Sequence, residues 1–482
     1  MKHMNIQDWV DTAKQSLREL QVDEIRATGI LPDDGNTFSP VIGYPPHTMF
    51  PSMKQEEAFD NFHERPSNPI TAYAHIPFCP SRCTFCHWIT KTKSREQEVD
   101  DYLDHIEREM VLYKNALGYD AIPASSALIG GGTPTYLSPS QLARFLEAFT
   151  THFDLSACTQ FSVEAEPTTL LGEEGLSRLR VMKEFGVDRI SLGVQSFKDP
   201  ILASMGRTHN NAESLHSIDQ IRDTGFDNIF IDLIYGYPNQ TIEQWIEDLL
   251  TASSLDLNGY QLFRLRVNQY GDREGNIVKT FNNKPGQFPV ATTVWLMKHL
   301  GKLISEHTGF SEQQTRVFAK HASDVSHYTR DWCCRLFDIA GVGVSSFSNL
   351  RGTFTQNIGD HNLEKYYQLI REGHTAINRG KVRTIDEEAR RSFILPLKND
   401  YVSKDDFTLR TGLDAGDYFA EKIQRLTELG LMEEDSHSIR LTNRGRFFAD
   451  EVSAQFFESK YLTHPEVKDA SKLKNVSVSN LQ

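Results

Sequence analysis

From Ile70 to residue 267 the chain alternates short apolar runs with amphipathic stretches, and this pattern constrains its fold more than any other feature. The apolar runs fall at 70–76, 125–130, 159–166, 188–195, 228–235 and 259–267. Each has the length of a strand and the continuous apolarity of one buried on both faces. Between the first two, residues 96–116 carry Val99, Leu103, Ile106, Met110 and Tyr113 at helical spacing. Ser138-Pro139-Ser140-Gln141 reads as an N-cap, a proline at the first helical position and a capping-box glutamine. Helical segments at 174–185, 211–224 and 241–254 follow. Six β-α units in succession imply a parallel sheet with right-handed crossovers. Eight would close a barrel. Six predict an α/β fold, an open three-quarter β/α barrel of about six parallel strands, with its functional groups at the C-terminal ends of the strands.

The flanks differ in character. Residues 5–21 predict an amphipathic helix with Ile6, Trp9, Val10, Ala13, Leu17 and Leu20 on one face, docked on the main domain. From Gly29 to Pro69 the chain is rich in Pro, Gly and Asn and is expected to be mostly irregular. Beyond 380, Asp414–Leu429 reads as a helix, Gly430–Leu441 as a small hairpin and Thr442–Phe457 as a helix again, a winged-helix-like order. Winged helices often bind DNA, but the last helix mixes Arg444 and Arg446 with Asp450 and Glu451, which argues for a packing domain. The expected division is an N-terminal, lid-like extension (1–69), the barrel and its following segment (70–380), a C-terminal domain (381–460) and a polar tail (461–482).

Composition narrows the setting. With 51 Lys and Arg against 65 Asp and Glu the formal net charge is −14, which argues against general affinity for nucleic acid or anionic membrane. No apolar run approaches the ~18 residues of a membrane span, and the first residues lack an apolar signal core. Six cysteines in this length do not form a disulfide framework. A cytoplasmic location is expected.

Three of those cysteines, Cys79, Cys83 and Cys86, are spaced C-x3-C-x2-C just past the first strand. Three thiolates this close can bind three irons of a cubane cluster and leave the fourth iron open, and an open metal site is a reactive one. The alternative is zinc, with His87 as the fourth ligand. Gly130-Gly131-Gly132-Thr133-Pro134-Thr135 ends the second strand. Its glycines let the backbone approach a ligand, and the Lys-Ser/Thr of a P-loop is missing. Glu164 and Glu166 end the third strand, Gln195 the fourth, with Arg207 twelve residues on, and Asp232 closes the fifth. All sit at the same end of successive strands. The vicinal pair Cys333-Cys334 could donate electrons or hold a metal, but buried small residues are the plainer reading, as is a packed core for His75.

The cysteine motif in its setting, Tyr73-Ala-His-Ile-Pro-Phe-Cys79, resembles the signature of the radical S-adenosylmethionine (SAM) superfamily and its oxygen-independent coproporphyrinogen III oxidase-like branch. So do Pro45–Ser52, Asp232–Thr241 and Gly343–Ser348, and the resemblance spans roughly residues 44–457. It implies a [4Fe-4S] cluster on Cys79, Cys83 and Cys86 and two SAM molecules. By position, Tyr73, Gly131 and Glu164 match contacts of the cluster-bound SAM. Phe85, Gly132, Thr133, Gln195, Arg207 and Asp232 match contacts of the second, and Phe347 stands where the family has an aliphatic contact. Pro45–Ser52 would act as a lid, and the electron donor would be a flavodoxin or ferredoxin. Two departures matter. Trp88 occupies the place of a fourth cysteine, and Gln261–Arg266 differs from the family's sixth strand. An aromatic residue after the third cysteine is similar to class C radical SAM methyltransferases. The expected activity is therefore C-methylation of an sp2 carbon in an aromatic or quinone-type substrate such as a menaquinone. Oxidative decarboxylation of coproporphyrinogen III, a haem chaperone and a haem-degrading relative are the alternatives. In every case the partner is a small aromatic, quinone or tetrapyrrole molecule, with no nucleic acid.

Overall fold

The computed structural model describes residues 4–31, 43–60, 62–65, 67–267 and 274–461. Its centre is a twelve-stranded sheet. The six anticipated strands are β1 (Ile70–Ile76), β2 (Ser126–Gly131), β3 (Phe161–Ala165), β4 (Arg189–Gln195), β5 (Asn228–Tyr235) and β6 (Gly259–Arg264). They lie side by side in sequence order and every neighbouring pair is parallel. Two antiparallel strands, β7 (Ser311–Gln314) and β8 (Val317–Ala319), follow β6 at one edge. On the far side of β1 lie β9 (Asp338–Val342), β10 (Phe347–Leu350), β11 (Thr353–Asn357) and β12 (Ile377–Val382). The sheet is open, with β7 and β12 as its two edges.

The parallel set holds a seventh member beyond the six expected, because β9 pairs parallel with β1 from Ile70↔Asp338 to Ala74↔Val342. The β-α alternation breaks before it, at the β7–β8 hairpin, and the helix that leads into it, His327–Cys333, is only 7 residues long. Every residue of β9 is buried.

The crossover helices fall close to their predicted places: α2 (Glu96–Leu117), α3 (Pro139–His152), α4 (Gly172–Glu184), α5 (Asn211–Asp223) and α6 (Ile242–Ser254), with α1 (Ile6–Glu19) before them. The Ser138 cap forms as read, its hydroxyl accepting from the Gln141 N–H while the Gln141 side chain accepts from the Ser138 N–H. Helix α1 buries Trp9, Val10 and Ala13 and rests on α7 (Ala291–His307), where Trp9 meets His307 edge to face at 5.1 Å. The 45–53 segment runs to the far edge of the sheet. Ser52 bridges Arg379 on β12, Met53 donates to the Asn378 carbonyl and Gly380 to that of Pro51.

The C-terminal part has its own core, in which Phe393, Phe419 and Phe456 pack with ring centres 4.4 to 5.3 Å apart. Helix α8 (Ile385–Asn399) leads into a small sheet of β13 (Tyr401–Ser403), β14 (Met432–Glu434) and β15 (Ser438–Leu441), with β15 in the middle. The hairpin is present, but each flanking helix is broken, at Phe419 and at Phe448, where an aromatic ring turns into the core. Arg444 is committed inward: it donates to the Leu20 and Leu429 carbonyls and pairs with Glu24 at 2.9 Å. Asp450 and Glu451 are buried. This is a packing role. Among the described residues no helix is long and apolar enough to cross a membrane. Residues 462–482 of the expected tail, and 32–42 of the expected irregular stretch, lie outside the described residues.

Candidate active site

One cavity of about 420 Å³ opens at the C-terminal ends of the parallel strands. Cys79, Cys83 and Cys86 all line it. They sit on a loop whose two ends are pinned together, Phe78 pairing with Lys91 and Cys79 with Thr92. The loop is also docked on the end of the short helix Asp199–Met205 that follows β4, since the Thr84 N–H donates to the Met205 carbonyl and the Ser81 hydroxyl to that of Gly206 at 3.0 Å. Burial pushes the Cys79 thiol up to about 12, even though the Thr133 hydroxyl donates to its sulfur at 3.4 Å. Cys83 receives a guanidinium donor from Arg207 at 3.2 Å.

This donor set fits an iron-sulfur cluster. A buried thiol becomes a thiolate only when positive charge arrives with the ligand, and irons supply it. A cubane offers one iron to each sulfur, so its ligands need a common cavity rather than a common point. Among the described residues no three His, Cys, Asp or Glu side chains converge on a single ion. His87, the alternative zinc ligand, turns both ring nitrogens to the backbone: the Gly275 N–H donates to Nδ1, and Nε2 faces the Arg266 carbonyl at 3.5 Å.

The glycine loop packs directly behind the cysteines. A Cβ at Gly132 would lie 2.7 Å from the Phe78 carbonyl oxygen and 2.9 Å from that of Ile76, while Gly131 has φ +114° beside the His75 ring. Only glycine permits so close an approach. The Gly131 N–H donates to Glu164 at 3.1 Å. His75 is a neutral core residue, held down to about 4 by burial, with Nδ1 facing the Tyr73 hydroxyl.

Of the residues singled out from sequence, Phe85, Gly131, Gly132, Thr133, Glu164, Gln195, Arg207 and Asp232 line the same cavity. Tyr73 and Phe347 are not among its lining residues. Tyr73 lies three residues short of the end of β1 and leans on Tyr328 at 5.8 Å. Phe347 stands behind Trp88, which does line the cavity, with ring centres 6.2 Å apart. Behind Phe347 comes His47 of the N-terminal segment, at 4.7 Å.

Several partnerships in and around the cavity carried no signal of their own in the sequence. Arg189 is buried, its guanidinium 4.3 Å from the Phe230 ring centre, among the charges of Glu164 and Asp232. Glu166 accepts from Thr168, Arg207 and His209, the last at 2.9 Å. Arg264, Arg266 and Arg316 line the side of the cavity formed by β6 and the β7–β8 turn. Strand-end placement did point to Glu166, and it alone could have pointed to Arg264. Cys333 and Cys334 lie outside the cavity lining, and burial raises both thiols.

Asp232 gives a test in the protein alone. Burial, and then the charge of Glu164, push its carboxyl up to about 7 against the pull of Arg189 and Arg207. Its unfolded value is about 3.9, so the folded chain keeps the extra proton between the two and stability falls as pH rises through that window. Asp232→Asn is expected to melt higher than wild type at about pH 8, with the gap closing by about pH 4. A gap that persists at the lower pH would show that Asp232 is ionised throughout.

An open parallel β/α sheet with three thiols and a glycine loop at the C-terminal strand ends defines a radical SAM protein. The pattern described as Radical SAM superfamily matches residues 73–252, and the HemN C-terminal domain matches 384–448. The chain is 31% identical to the heme chaperone HemW of Bacillus subtilis (strain 168), over 80% of its own length and 98% of the relative's. It is 28% identical to the oxygen-independent coproporphyrinogen III oxidase of Escherichia coli (strain K12), over 86% and 91%. The solved structure of coproporphyrinogen III oxidase (HemN) from Escherichia coli superposes with a TM-score of 0.74 at 25% identity, over 86% of this chain and 96% of that one. The chain belongs to the HemN/HemW-type family of the radical SAM superfamily, whose cofactors are a [4Fe-4S] cluster and SAM.

Proposed function

We propose that the chain applies radical SAM chemistry to a tetrapyrrole bearing carboxylate side chains, with oxidative decarboxylation of a coproporphyrinogen as the reaction. The observation that carries this is the row of Arg264, Arg266 and Arg316 along the wall of the cavity that holds the three thiols. Guanidinium groups match carboxylates in charge and shape. A menaquinone has no carboxylate to offer them. The methyl-transfer reading rests on Trp88 and the altered sixth strand, and neither of the two relatives matched over most of their length is a methyltransferase. A haem chaperone is the second reading. It is favoured by the HemW match and by Trp88, and haem too brings carboxylates.

In this reading Cys79, Cys83 and Cys86 hold the cluster. Tyr73, Gly131 and Glu164 belong to the SAM bound on it, and Phe85, Gly132, Thr133, Gln195, Arg207 and Asp232 to a second SAM. When bound, the cluster and SAM would supply radical chemistry for hydrogen abstraction, with the electron drawn from a flavodoxin or ferredoxin. The chain's own work is to orient and to exclude water. Arg264 is braced by Trp295, 5.5 Å from guanidinium to ring centre, and Arg316 by Phe263 at 5.4 Å, which fixes where these positive charges lie along the cavity wall. Trp88 lines the cavity with Phe347 and His47 behind it.

The test incubates the reconstituted protein with reductant, SAM and coproporphyrinogen III, haem or menaquinone. Loss of CO2 with formation of 5'-deoxyadenosine supports the decarboxylase. Stoichiometric haem binding without turnover supports the chaperone. A menaquinone gaining one CH2 refutes both. In the first two cases Arg264→Gln with Arg316→Gln is expected to weaken tetrapyrrole binding about tenfold or more for each carboxylate pairing lost.

A further inference from the structure

The Cys83 sulfur carries a bonded cation, and the cation is fixed from several sides. Arg207 donates from Nη1 to Cys83 Sγ at 3.2 Å and from Nη2 to the Gly193 carbonyl at 2.6 Å, with Glu166 3.5 Å away. Its side chain is only 10% exposed. Glu166 is itself tied down. His209 places Nδ1 against it, the Thr168 N–H donates to it at 3.0 Å, and the Val194 carbonyl faces the other nitrogen of His209 at 3.1 Å. The backbone adds to this. Gly206, with φ +75°, ends the short helix Asp199–Met205 and turns the chain onto the cysteine loop, where a Cβ would sit 3.2 Å from the Arg82 carbonyl. Cys79, by contrast, receives a neutral hydroxyl from Thr133.

We propose that Arg207 is a positioning residue that sets the reduction potential of the cluster, with Glu166 and His209 as its anchor. A positive charge hydrogen-bonded to a ligating sulfur stabilises the reduced cluster, which carries one more negative charge, so it raises the potential. Burial of the guanidinium strengthens the effect, because little water screens it. This role is separate from any contact with SAM and is present when no SAM is bound.

The experiment is an anaerobic redox titration of the reconstituted full-length protein without SAM, followed by EPR. Arg207→Gln is expected to move the midpoint negative by the equivalent of about tenfold or more in reduced fraction at fixed ambient potential, ~59 mV for one electron. Arg207→Lys keeps the charge and is expected to lie closer to wild type. An unchanged or more positive midpoint in Arg207→Gln at full iron and sulfide content overturns the proposal, as does a lysine variant no closer to wild type than the glutamine one. If Arg207→Gln takes up less than a full cluster, Glu166→Ala is titrated in its place. Loss of a nearby negative charge by itself would move the midpoint positive, whereas loss of the anchor moves it negative. A negative shift supports the proposal, and a positive or absent one overturns it.

Discussion

Glu109→Ala is expected to destabilise the protein by about 3–5 kcal/mol. Glu109 lies on α2 with no exposure. Its carboxylate accepts from the Gly343 N–H at 2.6 Å, the Asn357 amide at 2.7 Å, the Tyr366 hydroxyl at 2.8 Å and the Ala376 N–H at 3.4 Å. Burial pushes this carboxyl up from its ordinary value, and the four donors offset part of that cost. Alanine would leave the Gly343, Ala376 and Tyr366 donors without this acceptor in a dry interior, while Asn357 keeps the Gly343 carbonyl and the Ser346 hydroxyl, and each orphaned buried group costs about 1–3 kcal/mol before any rearrangement. Glu109→Gln is no remedy, because it turns an amide NH2 toward donors. Chemical denaturation midpoints measure the loss. A change below about 1 kcal/mol would mean that water replaces the carboxylate. The damage should also reach the cavity, since Gly343–Ser346 leads directly into Phe347 behind Trp88.

Alanine at Cys79, Cys83 or Cys86 is expected to remove the cluster and reduce SAM cleavage to the rate seen without protein. Iron and sulfide analysis and 5'-deoxyadenosine formation read this directly. The fold should survive, because each thiol is small and the loop is pinned by backbone pairs at Phe78–Cys79 and by Ser81 and Thr84. Cys333→Ala and Cys334→Ala are the controls, expected to leave iron content unchanged. If a Cys334 variant lost iron, the vicinal pair would have a place in cluster assembly that its burial does not suggest.

Local features were legible in the sequence and long-range ones were not. The six strands were readable because each is a continuous apolar run between turn residues, and α3 because its cap is spelled out in four consecutive residues. The three cysteines, the glycine loop and the strand-end acids converge because parallel strands present their C-terminal ends together. β9 was missed because the regular alternation stops at the β7–β8 hairpin before it. The helix breaks at Phe419 and Phe448 arise from packing against Phe393, Phe456 and Trp295, which no local window contains. Arg189 and the Glu166–His209 pair meet their partners across neighbouring strands and loops, so their roles emerge only when the sheet is assembled. Phe347 and Tyr73 were placed by likeness to a family, and likeness does not say which neighbour stands in front.

The N-terminal segment is held by residues far along the chain. Helix α1 rests on α7, Tyr44 meets Phe457 and Tyr461 at 5.0 and 5.6 Å, and Ser52 bridges Arg379. Tyr44 and Ser52 thus find their partners hundreds of positions further along the chain. Such contacts close very long loops and form late. His47 packs on Phe347, which stands behind the cavity-lining Trp88, so this part of the cavity wall is completed by contacts of high sequence separation.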